Sequence, residues 1–258
     1  MKRMLHAFAI AVLLTGLGAC AGRGAGAEPA PGQFQPAPGQ IQPAPSQIRP
    51  GGDQLLLVLA EDWNATSGEL RSYERAGTGW TLVGGPHSVN LGRKGLAWGA
   101  GLHGGGPVEA MTQPTSLMEK REGDGRAPAG AFALGEGFAY EPAEAGAVKL
   151  PLLRADADLL CVDDGASVHY NAFVRKPAAK VDWTSAEDML RPDGQYRFGV
   201  LVRHNMAPVK PGGGSCIFMH IWLGQGRGTA GCTSMAPENM RALLRWIDAS
   251  RQPTLVQL

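Results

Sequence analysis

One stretch of the sequence is the most informative about the fold: Gly214-Ser215-Cys216-Ile217-Phe218-Met219-His220-Ile221-Trp222, then the loop 223–228, then Thr229-Ala230-Gly231-Cys232-Thr233-Ser234. The apolar run from Cys216 to Trp222 predicts a strand that carries a histidine toward its end. The glycine-rich segment that follows predicts a loop that presents Cys232 just before a turn into a helix. The pattern therefore predicts that one strand and one loop bring His220 near Cys232.

Outside this stretch, the sequence favours strands over helices. Gln54–Ala60 is an apolar run suited to a buried strand, and segments 68–75 and 79–84 follow with alternating polarity and short polar breaks. Further strands are predicted at 196–203 and 254–258. The spacing of these segments is typical of a β meander with few helical insertions.

Two short helices are predicted. Thr184-Ser185-Ala186-Glu187 has the form of a capping box that opens a helix through Leu190. Pro237 suits a first helical position, and the apolar residues after it fall on one face: Met240, Leu243, Leu244 and Ile247. The glycine-dense segment 99–106 lacks the strand and helix of a dinucleotide site and is predicted to be a loop. We therefore expect one mainly β or α+β domain over residues 53–258.

The overall composition excludes several classes of protein. Lys and Arg number 24 against 23 Asp and Glu, and the net charge of +1 gives no electrostatic reason to expect nucleic acid as a partner. Four cysteines in 258 residues are too few for a disulfide-stapled miniprotein. The length fits one sizeable domain.

The N-terminus predicts export. Lys2 and Arg3 precede an apolar stretch, 7–14, that is too short to span a bilayer as a mature helix. The segment Leu17-Gly18-Ala19-Cys20 then resembles the bacterial lipobox, which marks residues 1–20 as a lipoprotein signal region. It implies lipidation of Cys20 as a membrane anchor and cleavage that makes Cys20 the first mature residue. The alternative is an ordinary secretory signal in which Cys20 is incidental. The export signal and the anchor together predict a periplasmic location. In enterobacterial-type sorting, Ala21 in place of Asp favours the outer membrane over the inner one as the site of the anchor.

The proline-rich composition of residues 21–52 predicts a linker. They repeat a Pro-Ala-Pro-x-Gln unit beginning at Pro29, Pro36 and Pro43. Such a segment buries too little apolar surface to fold, and its prolines favour an extended polyproline II spacer of ~3 Å per residue.

The Cys232 and His220 pair suggests acyl transfer. A free thiol has a pKa of about 8.5, and the thiolate is the attacking species, so a neighbouring imidazole can take the proton and later deliver it to a leaving amine. The backbone amides from Gly231 to Thr233 are candidates for stabilising an oxyanion. From these residues alone, a buried cysteine and a core histidine remain an open alternative.

The same segment resembles the signature of the L,D-transpeptidase catalytic domain, in which a histidine at a strand end precedes a Ser/Thr-x-Gly-Cys loop. The segment 120–130 resembles that family's Lys-x-Gly-Asp-x-x-Thr-Pro-x-Gly stretch, and Cys161-Val162-Asp163-Asp164, Tyr170-Asn171 and Gly214-Ser215 are similar to one branch of it. The chain departs from the family at Ala127, where Thr is usual. It also lacks the second histidine and the arginine of the common Ser-His-Gly-Cys loop.

The resemblance implies a sandwich-like β domain and a defined reaction. Cys232 would attack the carbonyl of an L-centre residue, typically diaminopimelate, joined to D-alanine in a peptidoglycan stem. His220 would accept the thiol proton and then protonate the departing D-alanine. The thioester would pass to an amine acceptor or to water, without a metal, a cofactor or an obligate protein partner. A hydrolytic carboxypeptidase or amidase, and a non-catalytic peptidoglycan-binding lipoprotein, are the alternatives.

Other candidate residues carry competing interpretations. Cys161 and Cys216 could form a disulfide that leaves Cys232 free, or could remain two buried thiols. A zinc site of Cys216, His220 and Cys232 would lack the usual four ligands in tight clusters. The candidates for substrate contact are Thr229, Arg227, Tyr170 and Arg203; His204 and the pair Asp163 and Asp164 are expected to have structural roles.

Overall fold

The computed structural model describes residues 51–103, 117–176 and 178–258. The predicted signal peptide, Cys20 and nearly all of the linker lie outside these residues, as does part of the glycine-dense loop. Within the described part of the chain, no helix is both long and apolar enough to cross a membrane.

The described residues form a mainly β structure, which confirms the predicted fold class at that level. The strands are β1 (Gln54–Ala60), β2 (Ser67–Ala76), β3 (Gly79–Asn90), β4 (Leu96–Trp98), β5 (Ala127–Ala139), β6 (Leu152–Arg154), β7 (Leu159–Val162), β8 (Ala172–Arg175), β9 (Ala186–Asp188), β10 (Phe198–Val202), β11 (Phe218–Ile221), β12 (Thr233–Met235) and β13 (Thr254–Gln257). The helices are α1 (Pro142–Ala145) and α2 (Pro237–Trp246), with a 3-10 turn at Ala249–Arg251.

Ten strands build one large sheet that closes on itself. Its order is β10-β11-β12-β3-β2-β1-β13-β5-β4, with β6 beside β5, and β10 also pairs with β5. The second half of β5 therefore returns the hydrogen-bonded path to its first strand. A closed path leaves fewer free edges than an open sheet of the same size.

Buried strands that pack closely against their neighbours form the centre of this sheet. Every residue of β1 is buried, and this strand pairs antiparallel with β2 and parallel with β13. In β10, Gly199 lies against β5 so closely that a Cβ there would come within 2.1 Å of Phe138 Cζ. Only glycine fits at such a contact.

Most of the predicted elements are present. Strands occur at all five of the segments predicted outside the central stretch, and α2 begins at Pro237 as expected, although Ile247 lies just past its end. The predicted helix at 184–190 is wrong. The Thr184 N–H and hydroxyl both donate to Asp164 at 2.7 Å instead of capping a helix, and Ala186–Asp188 is strand β9. A contact with a distant loop therefore overrides the local capping signal.

Three strands make a second, small sheet of order β8-β7-β9. A disulfide joins Cys161 in β7 to Cys216, two residues before β11 of the large sheet. Around this link lies one apolar cluster drawn from both sheets, which includes Phe138, Leu159, Tyr196, Phe218 and Cys232. The disulfide thus ties the small sheet to the part of the large sheet that carries the cysteine–histidine pair.

Candidate active site

The side chains of His220 and Cys232 lie on the same face of the large sheet. In the parallel pairing of β11 with β12, Met219 lies opposite Thr233 and His220 opposite Ser234. Cys232 therefore lies beside Phe218, whose N–H donates to its Sγ at 3.3 Å. Residues two apart on a strand share a face, so Phe218 and His220 point to the same side. The ring of Tyr196 contacts both, with centroid distances of 5.4 and 5.2 Å.

His220 is a buried, oriented and neutral imidazole. Only 3% of the residue is exposed, and its Nδ1 lies 2.8 Å from the carbonyl oxygen of Ile221. This bond places the ring hydrogen on Nδ1 and leaves the lone pair on Nε2. Burial lowers the pKa of His220 to about 4, although the Ile221 carbonyl offsets part of this effect. The ring is therefore ready to accept a proton at neutral pH.

Cys232 is a protonated thiol in the same surroundings. It is 7% exposed, and its Sγ lies 3.6 Å from the carbonyl oxygen of Cys216, to which it donates. Burial raises the pKa of the Cys232 thiol to about 12, and the negative charge of Glu187 adds to the increase. No hydrogen bond joins Cys232 to His220 among the described residues. The structure holds a neutral thiol and a neutral imidazole on one face of the sheet rather than an ion pair.

The loop before Cys232 is organised by Thr229. Its hydroxyl donates to the Cys232 carbonyl at 2.5 Å and accepts from the Gly231 N–H at 3.1 Å. The Gly231 amide is therefore engaged and is not the open oxyanion donor that the sequence suggested. A Cβ on Gly231 would lie 3.1 Å from the Arg126 carbonyl oxygen, a tight contact with backbone that leaves little room for a side chain. Thr233 is buried, and its hydroxyl donates to Gln257 rather than toward a substrate.

The remaining candidates for substrate contact either have partners within the fold or are exposed. Tyr170 is buried, and its hydroxyl donates to Glu122 at 2.6 Å; burial, followed by Glu122, raises its pKa. Arg227 is exposed on the loop between β11 and β12. Arg203 pairs with Glu136 at 3.4 Å.

The residues expected to be structural have partners within the fold. His204 is buried, its Nε2 lies 2.9 Å from the Gly213 carbonyl, and its Nδ1 accepts from the Ala100 N–H. Asp163 and Asp164 accept hydrogen bonds from Ser185 and Thr184 and anchor the segment before β9.

The cysteines divide into one pair and one free thiol. Cys161 and Cys216 are disulfide-bonded, and Cys232 is the free cysteine of the described residues. Cys216 is therefore not available as a thiolate ligand for zinc. Within 51–103, 117–176 and 178–258, no three His, Cys, Asp or Glu side chains are grouped so that they could hold a metal ion.

Two charged residues near the thiol were not expected from the sequence. The Lys120 side chain is buried behind Gly231, and its Nζ donates to Asp124 and to the Arg121 carbonyl, both at 2.7 Å. Glu187 lies opposite Cys161 in the pairing of β7 with β9. Lys120 lies in the segment 120–130, which was identified by the family resemblance, so its sequence position was a signal. Glu187 was assigned to the predicted helix at 184–190, which gave no reason to place it near the thiol.

No family model, no curated protein and no solved structure matches this chain. The resemblance to L,D-transpeptidases therefore stays a prediction, and the functional argument depends on the geometry around Cys232.

Proposed function

We propose that this protein is a cysteine acyltransferase of the L,D-transpeptidase type that acts on tetrapeptide stems of peptidoglycan. One observation carries the proposal: an imidazole held by a backbone carbonyl lies on the same sheet face as a buried free thiol. A base oriented by a third group, beside a nucleophile, is the general arrangement for covalent acyl transfer.

The protonation states support base-assisted attack. The thiol rotates about its Cα–Cβ bond from the Cys216 carbonyl toward His220, and the imidazole Nε2 takes its proton as the sulfur bonds to the substrate carbonyl. Because both groups are neutral before reaction, the proton leaves as the C–S bond forms. The imidazolium then protonates the amine of departing D-alanine and leaves a thioester on Cys232.

The loop geometry supports a specific oxyanion donor. Thr229 occupies the Gly231 N–H, so we assign this role to the backbone amide of Cys232 itself. Thr229 fixes that peptide from the other side, through its bond to the Cys232 carbonyl. The hydroxyl therefore positions the nucleophile loop, and the substrate is not required to contact it.

The proposed location is the periplasm. There, lipidated Cys20 and the proline-rich linker would hold the domain at the outer membrane. This part of the proposal depends on residues 1–52 of the sequence. Labelling of the expressed protein with a fatty acid, compared with a Cys20→Ser variant, tests it. An unlabelled wild-type protein would contradict the anchor.

Mass spectrometry tests the reaction. The protein would be incubated with a disaccharide-tetrapeptide, beside Cys232→Ala and His220→Gln variants. We expect an acyl-enzyme on Cys232, release of D-alanine and cross-linked product, with no adduct on the alanine variant and a strongly reduced rate for the glutamine variant. Truncated stems without cross-links would indicate hydrolysis instead. Unchanged substrate and an unmodified Cys232 would refute the enzyme and leave peptidoglycan binding as the alternative.

A further inference from the structure

Glu187 extends from the small sheet toward the nucleophile of the large one. Its antiparallel partner is Cys161, and paired residues share a face, so Glu187 points to the side on which Cys161 bonds to Cys216. The carbonyl of Cys216 in turn accepts from the thiol of Cys232. The carboxylate and the nucleophile are thus separated by one disulfide-bonded pair.

A second chain of contacts leads from Glu187 to the base. Its Oε2 accepts from the Tyr196 hydroxyl at 2.5 Å, and the Tyr196 ring packs edge-on against His220. The carboxylate therefore lies one tyrosine ring away from the imidazole. Glu187 is half-buried, and its charge contributes to the raised pKa of Cys232.

The negative charge of Glu187 has no cationic partner in contact. Among the described residues, no lysine or arginine forms an ion pair with it. The nearby guanidinium of Arg191 is directed onto Asp193, with its Nη2 2.6 Å from one oxygen and its Nε 3.1 Å from the other. Tyr196 occupies one carboxylate oxygen, and no described group bonds to the other. The charge of Arg191 therefore acts on Glu187 only from beyond ion-pair distance. A half-buried carboxylate with no cation in direct contact, beside a nucleophile, favours a cationic ligand.

We propose that Glu187 is a specificity-determining residue that binds the ammonium group of the amine acceptor beside Cys232. The inference rests on the proposed acyl transfer and adds to it a reason why an amine, rather than water, would receive the acyl group. The chemical class of acceptor is a primary alkylammonium, such as the side-chain amine of a second stem.

In the acceptor step, Glu187, His220 and Cys232 account for every proton that is transferred. The ammonium transfers one proton to the Glu187 carboxylate, and the neutral amine nitrogen bonds to the thioester carbonyl. A second proton passes from nitrogen to His220 Nε2, the C–S bond breaks, and the departing sulfur takes that proton. The products are an amide, the Cys232 thiol, neutral His220 and a protonated Glu187, which releases its proton to solvent. Burial raises the pKa of Glu187, which makes the carboxylate a stronger base for the first transfer.

The Glu187→Gln variant separates this role from a structural one. The amide keeps an oxygen that accepts from Tyr196 and removes only the charge. Asp188→Asn is the matched control, because it removes a carboxylate from the adjacent, exposed position of β9, whose partner is Lys176. Each protein would first be acylated with the tetrapeptide stem, and the acyl-enzyme would then be divided between two acceptors at pH 7: a primary alkylamine, which is charged, and hydroxylamine, which is uncharged.

The expected result is selective. Glu187→Gln should lower the ratio of alkylamine transfer to hydrolysis roughly tenfold, the size of one charge-assisted hydrogen bond. The ratio of hydroxylamine transfer to hydrolysis, measured on the same acyl-enzyme, should stay within about twofold of wild type. Equal losses with both acceptors, no loss with either, or the same loss in Asp188→Asn would overturn the inference. Failure of the wild type to acylate refutes the proposed function itself, and that result appears before any acceptor is added.

Discussion

Removal of the disulfide is expected to cost this fold a large part of its stability. Cys161 and Cys216 are separated by 55 residues, and a cross-link over that distance restricts the unfolded chain by about 14 cal/mol/K in the loop-entropy treatment. At 298 K this corresponds to roughly 4 kcal/mol, comparable with the whole stability of many domains. We therefore expect Cys161→Ala combined with Cys216→Ala to lower the free energy of unfolding by about that amount. Both residues are buried, so lost packing adds to the entropic effect.

Equilibrium unfolding in guanidinium chloride measures the effect, with Cys232→Ala as the control that keeps the disulfide. The double variant should unfold at a lower denaturant concentration, and the slope of its transition should increase, because an unfolded chain without the cross-link is more expanded and exposes more surface. A loss below about 1 kcal/mol would refute the loop-entropy reasoning. Because the Cys216 carbonyl holds the thiol, the variant should also expose Cys232 to alkylation more readily than the wild type does.

Three further results are expected. Iodoacetamide should alkylate Cys232 at pH 7 roughly a thousandfold more slowly than a free cysteine, because its pKa is raised to about 12; an ordinary labelling rate would contradict this. Stability should fall on acidification from pH 6.5 to about 4, since burial lowers the pKa of both His204 and His220 to about 4, so each binds its proton more readily in the unfolded chain. Each histidine contributes a loss of roughly 3 kcal/mol. Urea titrations at pH 7 and 4.5 should therefore show that the total loss of stability in His204→Gln is about half that of the wild type. Gly231→Ala should reduce acyl-enzyme formation and destabilise the protein by about 1–3 kcal/mol, because the new Cβ meets the Arg126 carbonyl; wild-type behaviour in both assays would argue against that contact.

The strands that could be predicted are those whose signal is local. β1 is a continuous apolar run, and β11 places apolar residues on both sides of His220, so each carries its pattern within a few residues. The Pro237 helix was also predictable, because its start signal and its apolar face lie in the same ten residues.

The longest of the strands that escaped prediction is β5. Its sequence, APAGAFALGEGFA, is dominated by alanine and glycine, which are depleted in strands. The reason lies in the tertiary structure: β5 has β4, β6, β10 and β13 as neighbours, and small side chains allow such close packing. No local window contains that information.

The candidate site shows the same division. Cys232 and His220 could be identified from their loop and strand, but the face they share depends on the register of β11 with β12. Lys120 and Glu187 reach the site from segments that lie far away in sequence, and the disulfide and the β7–β9 pairing bring Glu187 there. Charge around a nucleophile is therefore a property of the assembled chain.

The position of β13 has a consequence for the order in which the molecule is made. Residues 254–257 lie between β1, parallel to them, and β5, antiparallel to them. A ribosome delivers β1 and β5 long before it delivers these residues. During that interval both strands display an unpaired apolar edge, the kind of surface on which nascent chains aggregate and which chaperones bind. The large sheet can close only after residues 254–257 have been synthesised and have entered the gap between β1 and β5.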